Sequence, residues 1–357
     1  MLELKNASNF INAEVHLSNI SLQFKSGIVN AILGPTMSGK TPLIRLIAGL
    51  DKCAEGNIFI NDNDITNQKV QKRNVAMVHQ QFINYPSLSV FDNIASPLRI
   101  LRIDEKVIGH KVNKVAELLK LESLLKFFPN NLSGGEQQRT AIARAIIKDA
   151  DLVLMDEPLA NLDYKFREEF RSELPNIMKE INAIFIYATS EVSEALFMSG
   201  NTTILSNGQA IQSGPTYDIY NNPNNIIALK IFSDPSVNEL KVIKKEKYFF
   251  IGNTQLFPVK KYHKHIRDGI YSIAVRPYHG FSKKHSKDMI EFKMKILGNE
   301  FAGAENIIHT EFYGEHWKFF ISNYVYDDQL DHIKIYIDAK DIFIFDNDGL
   351  PVFIPPL

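Results

Sequence analysis

The stretch that most narrows what this chain can become runs from residue 28 to residue 50. Residues 28–33 form a short, mostly apolar run suited to a buried strand. Gly34-Pro35-Thr36-Met37-Ser38-Gly39-Lys40-Thr41 follows, and Leu43, Ile44, Leu46, Ile47 and Leu50 then recur at helical spacing. Strand, glycine-bearing loop and helix together make a phosphate cradle. The loop amides wrap the phosphates, Lys40 reaches the β and γ phosphates, and the Thr41 hydroxyl ligates magnesium. Gly34, Pro35, Thr36, Ser38, Gly39, Lys40, Thr41 and Pro42 are therefore candidate nucleotide contacts. The competing reading is a chance match in a turn, against which the flanking strand and helix both speak.

A second stretch, Leu132-Ser133-Gly134-Gly135-Glu136-Gln137-Gln138-Arg139, precedes another helical apolar pattern. Ser133 and Glu136 have the spacing of a capping box, which starts a helix with its free amides and positive dipole end outward. Such an end attracts phosphate. Gly134 and Gly135 would let a polyphosphate approach the backbone, and Ser133 adds a hydroxyl donor. Taken alone, the same residues also describe an ordinary capped surface helix.

Between and beyond these stretches, strand and helix patterns alternate, which predicts a parallel or mixed sheet covered by helices. Residues 51–73 read as polar hairpins and loops. Val75–Val78 is a short strand leading to His79, Gln80 and Gln81, and then to an unusually apolar loop over residues 82–94 that suggests a docking face. Packing onto its own domain is the alternative. Residues 104–127 read as a helix with Val112, Val115, Leu118, Leu119 and Leu121 on one stripe. A buried strand at 152–155 ends in Asp156-Glu157-Pro158, and paired carboxylates at a strand's carboxyl end mark an active site in such a sheet. Asp156 would hold magnesium through water, and Glu157 would orient and deprotonate an attacking water. A further strand at 184–188 ends at Thr189-Ser190-Glu191, and Asn207-Gly208 marks a hairpin within 203–211. The pattern changes near Asp234-Pro235. Short strands at 248–251, 271–275, 292–296, 317–321, 333–337 and 342–345 then suggest a small barrel. Its aromatics read as core, with oligonucleotide or small-ligand binding as the other possibility for such barrels.

A chain of 357 residues suggests two to three domains at roughly 150 residues each, in a soluble globular protein. Forty Lys and Arg against 41 acids leave no overall basic field, so nucleic acid is not an expected partner. The single cysteine, Cys53, excludes an internal disulfide and fits a reducing compartment. The first residues lack the layout of a signal peptide, and no apolar run approaches the ~20 residues that span a bilayer. Any membrane role is expected to work through partner chains.

Taken together, residues 34–41, Gln80, residues 132–137, Asp156-Glu157 and residues 161–163 resemble the ATPase subunits of ABC transporters. The resemblance covers residues 1–232 and implies an α/β P-loop ATPase domain, with a RecA-like core plus antiparallel β and helical subdomains. Residues 233–357 resemble the all-β, OB-like (TOBE/MOP-type) regulatory extension of importers for sugars and polyols, with Val275-Arg276-Pro277 in place of its usual motif. Gln80-Gln81-Phe82-Ile83-Asn84-Tyr85-Pro86, Ile94-Ala95-Ser96-Pro97 and Tyr187-Ala188-Thr189 look most like one ATPase subunit of the bacterial glycerol importer. The family implies a peripheral subunit at the cytoplasmic face of the inner membrane, with two membrane-spanning permeases, a solute-binding protein acting indirectly, and a dimer that sandwiches ATP and Mg2+. Residues 132–137, with Ser133, Gly134, Gly135 and Gln137, would complete the partner's site. By position, Phe10 should stack on adenine, Gln80 should join Thr41 and Asp156 at the metal and sense the γ phosphate, and Asp163 should contact the facing subunit.

Three departures touch this machinery. Ser190 stands where the family usually carries a histidine on the γ phosphate, and serine is shorter and carries no positive charge. Pro42 has no amide to give the α phosphate. Met37 replaces a customary glycine, which would reshape the loop. The expectation is a heterodimer in which this chain's own P-loop site, residues 34–41, is impaired, while its residues 132–137 serve a second ATPase. A homodimer using Glu157 and a water, a mainly regulatory nucleotide-binding subunit, and a soluble ABC-type ATPase of DNA repair or translation are the alternatives.

Overall fold

The computed structural model describes residues 1–357 except 12, 13, 82, 182, 199, 302, 304, 323–330 and 357. The chain forms two compact units, Met1–Thr216 and Tyr217–Leu357. The division expected at residue 232 falls earlier. Tyr220 and the helix Ile226–Ile231 belong to the second unit, because Arg276 stacks 3.6 Å from the Tyr220 ring centroid and Ile226 N–H donates to Gly349 O at 2.9 Å.

The centre of the first unit is a six-stranded sheet in the order Gln209–Pro215, Asn201–Ser206, Val29–Leu33, Ile184–Thr189, Leu152–Asp156, Val75–Val78. All neighbours run parallel except the hairpin at its edge, where Asn207 and Gly208 both have positive φ as a tight hairpin turn demands. Both faces are covered, which is why the central strands read as unbroken apolar runs. Val153, Met155, Phe185 and Tyr187 pack into one core with the helices Val90–Ile100, Glu105–Leu118 and Gly134–Ile146. The alternate residues Leu152, Leu154, Ile184, Ile186 and Ala188 face a second core. That core holds the helix Lys40–Ala48 and an antiparallel sheet of Glu14–Phe24, Leu2–Ile11, Glu55–Ile60 and Asn63–Asp64.

The single helix expected over 104–127 is shorter. It stops at Leu118, Lys120 takes φ +56°, and a 3-10 turn at Glu122–Leu124 follows, so Leu119 and Leu121 are buried from a bend rather than a helical stripe.

In the second unit all six expected strand regions are strands, and Asn238–Lys245, Thr254–Pro258, Glu305–Phe312 and Pro351–Phe353 join them. Among the described residues the ladders make two open sheets, one of six strands and one of four, rather than one closed barrel. The two sheets share one core around Trp317, Phe292, Phe257 and Phe249. Its buried aromatics pack on one another, with ring pairs such as Phe249–Phe257 stacked at 4.8 Å.

Candidate active site

The buried strand Val29–Leu33 delivers the chain into the loop, and the helix starts at Lys40 from a Gly39 cap at φ +105°. Glycine is required there, since a Cβ would sit 3.2 Å from Leu17 Cδ2 and 3.3 Å from His16 O in a left-handed backbone. The same contact brings the strands carrying Phe10 and Val15, which face each other in register, to the loop's edge. Phe10 is 43% exposed, free to offer a ring face. Met37 holds φ +67°, the left-handed turn that a glycine adopts without cost, and its side chain is 95% exposed.

Pro42 costs the helix nothing. The Ser38 carbonyl, which an amide at 42 would otherwise meet, accepts from Gly208 N–H at 2.9 Å, and Leu43 N–H closes the first turn on Gly39 O at 2.9 Å. What Pro42 removes is one of the free amides of the helix's first turn.

Lys40 is the junction of the site. Its ammonium donates to Gly34 O at 2.8 Å and Pro35 O at 3.0 Å and pairs with Glu157 Oε1 at 3.1 Å. A phosphate entering the loop competes with these acceptors for the same charge. Glu157, the first residue past the strand Leu152–Asp156, holds φ +45°, a conformation that costs a bulky residue about 1 kcal/mol and that persists mainly at functional sites. Its amide still donates to Ala188 O at 2.9 Å, so the strained residue is held by the sheet while its carboxylate turns to the loop.

Asp156 is buried beside it, with Oδ1 lacking a protein partner. Burial pushes its carboxyl above the usual carboxylate range, and the Thr41 hydroxyl on it and the nearby Lys40 and His79 partly offset this. A buried carboxylate with an open oxygen, next to a hydroxyl, is an all-oxygen donor set suited to a hard divalent cation. Ser38 Oγ is likewise buried without a partner at the loop's inner edge. Gln80 is exposed, and its carbonyl accepts from Asn161 Nδ2 at 2.9 Å, which ties it to the loop following Glu157.

Ser190 lies at the carboxyl end of the strand next to the P-loop strand, and the preceding Thr189 carbonyl accepts from Gly34 N–H at 3.3 Å. A residue that sequence patterns do not single out holds this end in place. Glu194, only 3% exposed, accepts from Tyr187 OH at 2.8 Å and Thr189 Oγ1 at 2.6 Å. Nothing local distinguishes it from a solvated glutamate in the first turn of a helix.

The second stretch stands elsewhere in the unit. Ser133 caps the helix Gly134–Ile146 in a complete capping box, donating to Glu136 Oε2 at 2.8 Å and accepting from Glu136 N–H at 3.4 Å. Gln137 is fixed by its own side chain on Leu132 O at 3.1 Å and by Asn84 Nδ2 on its carbonyl at 2.9 Å. Gly135 is needed for packing, since a Cβ would stand 2.9 Å from the Phe166 ring. Asp163 caps the next helix through Phe166 N–H at 3.2 Å. The apolar loop expected over residues 82–94 ends at Ser89, which caps the helix Val90–Ile100; within it Ile83 and Tyr85 are each 48% exposed, with the Arg144 guanidinium 4.9 Å from the Tyr85 ring, while Phe82 lies outside the described residues. The contacts of Ser133–Gln137 run to Leu132 and Asn84, and those of the P-loop run to Glu157, Thr189 and Gly208.

A two-face-covered sheet with a lysine-bearing phosphate loop, a strand-end carboxylate pair and a separate glycine-rich helix cap defines a P-loop nucleotide hydrolase. The sequence profile of the family described as ABC transporter matches residues 17–160. The spermidine/putrescine import ATP-binding protein PotA of Thermotoga maritima is 34% identical over 70% of this chain and 68% of its own length. The sn-glycerol-3-phosphate import ATP-binding protein UgpC of Escherichia coli K12 is 31% identical over 81% of this chain and 82% of its own. The ATP-binding cassette MJ0796, solved as a dimer in a post-hydrolysis state bound to ADP and Pi, superposes with a TM-score of 0.54 at 28% identity, over 60% of this chain and 99% of that one. The chain belongs to the ABC transporter family, as an ATP-binding subunit that hydrolyses ATP in support of transport. Among the described residues no helix is long and apolar enough to cross a membrane.

Proposed function

We propose that this subunit energises import of a small polyol or sugar, with glycerol or glycerol phosphate as cargo, at the cytoplasmic face of the inner membrane. The glycerol-phosphate importer subunit, matching over 82% of its length, supports that cargo class, while the polyamine relatives mark the main alternative. In this reading Lys40 and the loop amides hold the ATP phosphates, and Phe10 stacks on the base. Thr41, Asp156 and Gln80 hold Mg2+, which would neutralise phosphate charge, and Glu157 takes the proton of the attacking water once the phosphates have drawn Lys40 away. Ser133, Gly134, Gly135 and Gln137 close the facing subunit's nucleotide.

The observation that carries the finer assignment is Ser190. It occupies the strand end beside Gly34 with a side chain too short and too neutral to serve as an imidazole would. Together with Pro42, it supports a heterodimer in which a second ATPase supplies the faster site and two permeases complete the complex. A missing charge-stabilising contact slows turnover by roughly 10²- to 10³-fold. The test is to tag the chain in its source cells, solubilise membranes gently and identify its partners by mass spectrometry. A second ATPase together with two permeases is the expected result. Recovery of this chain with permeases alone would put Ser190 in both sites and overturn the asymmetric assembly. In the reconstituted transporter, Ser190→His should raise ATP turnover at least tenfold; unchanged turnover would reject the role given to Ser190.

A further inference from the structure

The second unit carries a cluster of titratable side chains that the ATPase site does not use. The strands Glu305–Phe312 and Glu315–Ser322 pair with Glu311 opposite His316 and His309 opposite Lys318. Side chains alternate along a strand, so Ile308, Thr310 and Phe312 enter the core while His309 and Glu311 stay on the outer face. His309 and His316 meet diagonally on that face. His309 Nδ1 lies 3.3 Å from His316 Nε2, with the rings 24° from parallel. On the other side of the His309 ring, Nε2 lies 2.9 Å from Glu300 Oε1, which comes from the third strand, Met289–Phe301.

We propose that His309 and His316 form a chelating pair for one divalent transition-metal ion of the zinc, nickel or copper class, with Glu300 orienting His309 from behind. Imidazole nitrogens bind zinc at about 2.0–2.1 Å, so two of them on a tetrahedral ion stand about 3.3–3.4 Å apart. The observed separation matches that edge without moving the backbone. With Glu300 accepting a proton from Nε2, His309 takes the tautomer in which Nδ1, 3.3 Å from His316 Nε2, carries the lone pair. A carboxylate behind a metal-ligating histidine is the usual outer partner of such ions. Imidazole donors favour these metals over magnesium or calcium, so the pair does not compete for the cation of the nucleotide site. Among the described residues no group of three His, Cys, Asp or Glu is placed to ligate. Water therefore completes the shell. Lys318 stands opposite His309 and Lys295 opposite Glu311 in the ladders. The ion would clip the outer hairpin of the regulatory unit across its two strands.

The test is isothermal titration of the full chain with zinc chloride and nickel chloride in buffer lacking chelator and nucleotide, with cobalt chloride added for its absorption spectrum. One ion per chain and a tetrahedral cobalt spectrum are expected. His316→Ala and His309→Gln, both outside the core, should each weaken binding at least tenfold, and Glu300→Gln by roughly tenfold. Excess magnesium chloride should leave the isotherm unchanged. Binding that survives both histidine replacements would place the ion elsewhere, and no binding by the unaltered chain would reduce the pair to a hydrogen bond between imidazoles. Either result overturns the proposal.

Discussion

Replacing Glu194 with leucine should destabilise the ATPase unit by about 3 kcal/mol and lower turnover beyond what the lost stability explains. Glu194 is the shared acceptor for Tyr187 OH at 2.8 Å and Thr189 Oγ1 at 2.6 Å, and Tyr187 and Thr189 are 0% and 2% exposed. Leucine keeps the volume and removes both acceptors. Each buried hydroxyl left unmet costs about 1–3 kcal/mol, partly offset because a buried carboxylate no longer has to be desolvated. For a unit of this size about 3 kcal/mol corresponds to a melting temperature lower by roughly 6–12 °C. Thr189 Oγ1 also accepts from Glu191 N–H at 3.0 Å, so the same loss frees the backbone on both sides of Ser190. Differential scanning calorimetry would measure the first quantity, and ATP turnover well below the transition the second. Glu194→Gln, which retains an acceptor oxygen, should recover most of both. Burial raises the Glu194 carboxyl above its ordinary value. Between the ordinary and the raised value the folded chain holds a proton that the unfolded chain has lost, so wild-type stability falls as pH rises through that window. The glutamine variant should lack this slope. A leucine variant within 1 kcal/mol of wild type, or with turnover reduced only by its unfolded fraction, would refute the reasoning.

Arg73, 5% exposed, donates to Leu46 O, Ile47 O, Ile65 O, Thr66 O and Gln68 O, so Arg73→Met should cost about 3 kcal/mol in urea unfolding by stripping the last carbonyls of the P-loop helix. Met37→Gly should stabilise the same unit by up to about 1 kcal/mol by relieving the left-handed backbone at φ +67°, and calorimetry with and without ATP would show whether the gain survives binding. His263, fully buried, is pushed down to about 4 by burial. Its unfolded value is near 6.5, so it contributes full stability above that pH and loses it as pH falls toward 4, roughly 3 kcal/mol in all. Replacing His263 with phenylalanine should flatten the acid limb of the second unit's stability profile; an unchanged limb would assign it to other groups.

Features that depend on near neighbours in the chain are legible in the amino-acid order alone. The strand, loop and helix around Lys40, the capping box of Ser133 and Glu136, and the Asn207-Gly208 turn each follow from spacing, caps and φ preferences within a few residues. The helix expected through residue 127 failed because Leu119 and Leu121 satisfy a helical stripe equally well when buried from a bend. Among the described residues the strands expected beyond residue 240 pair into two sheets around one core, an order that strand patterns leave open because they specify a buried face and not which strands become neighbours. Gly135 reads as an opening for phosphate, and its steric reason, the Phe166 ring, lies on another helix.

Contiguous residues were enough to specify a phosphate loop, a helix-end anion cap and two strand-end carboxylates, because the local energetics of each short stretch leave little choice. Which groups meet was left to the fold. It set Lys40 on Glu157, buried Asp156 with one oxygen open, and made Glu194 a strut for the strand end at Ser190. It also set two imidazoles from facing strands 3.3 Å apart. Those pairings join residues brought together by sheet order and burial, where the low dielectric of the interior makes an unmet partner costly, and no short-range pattern records them.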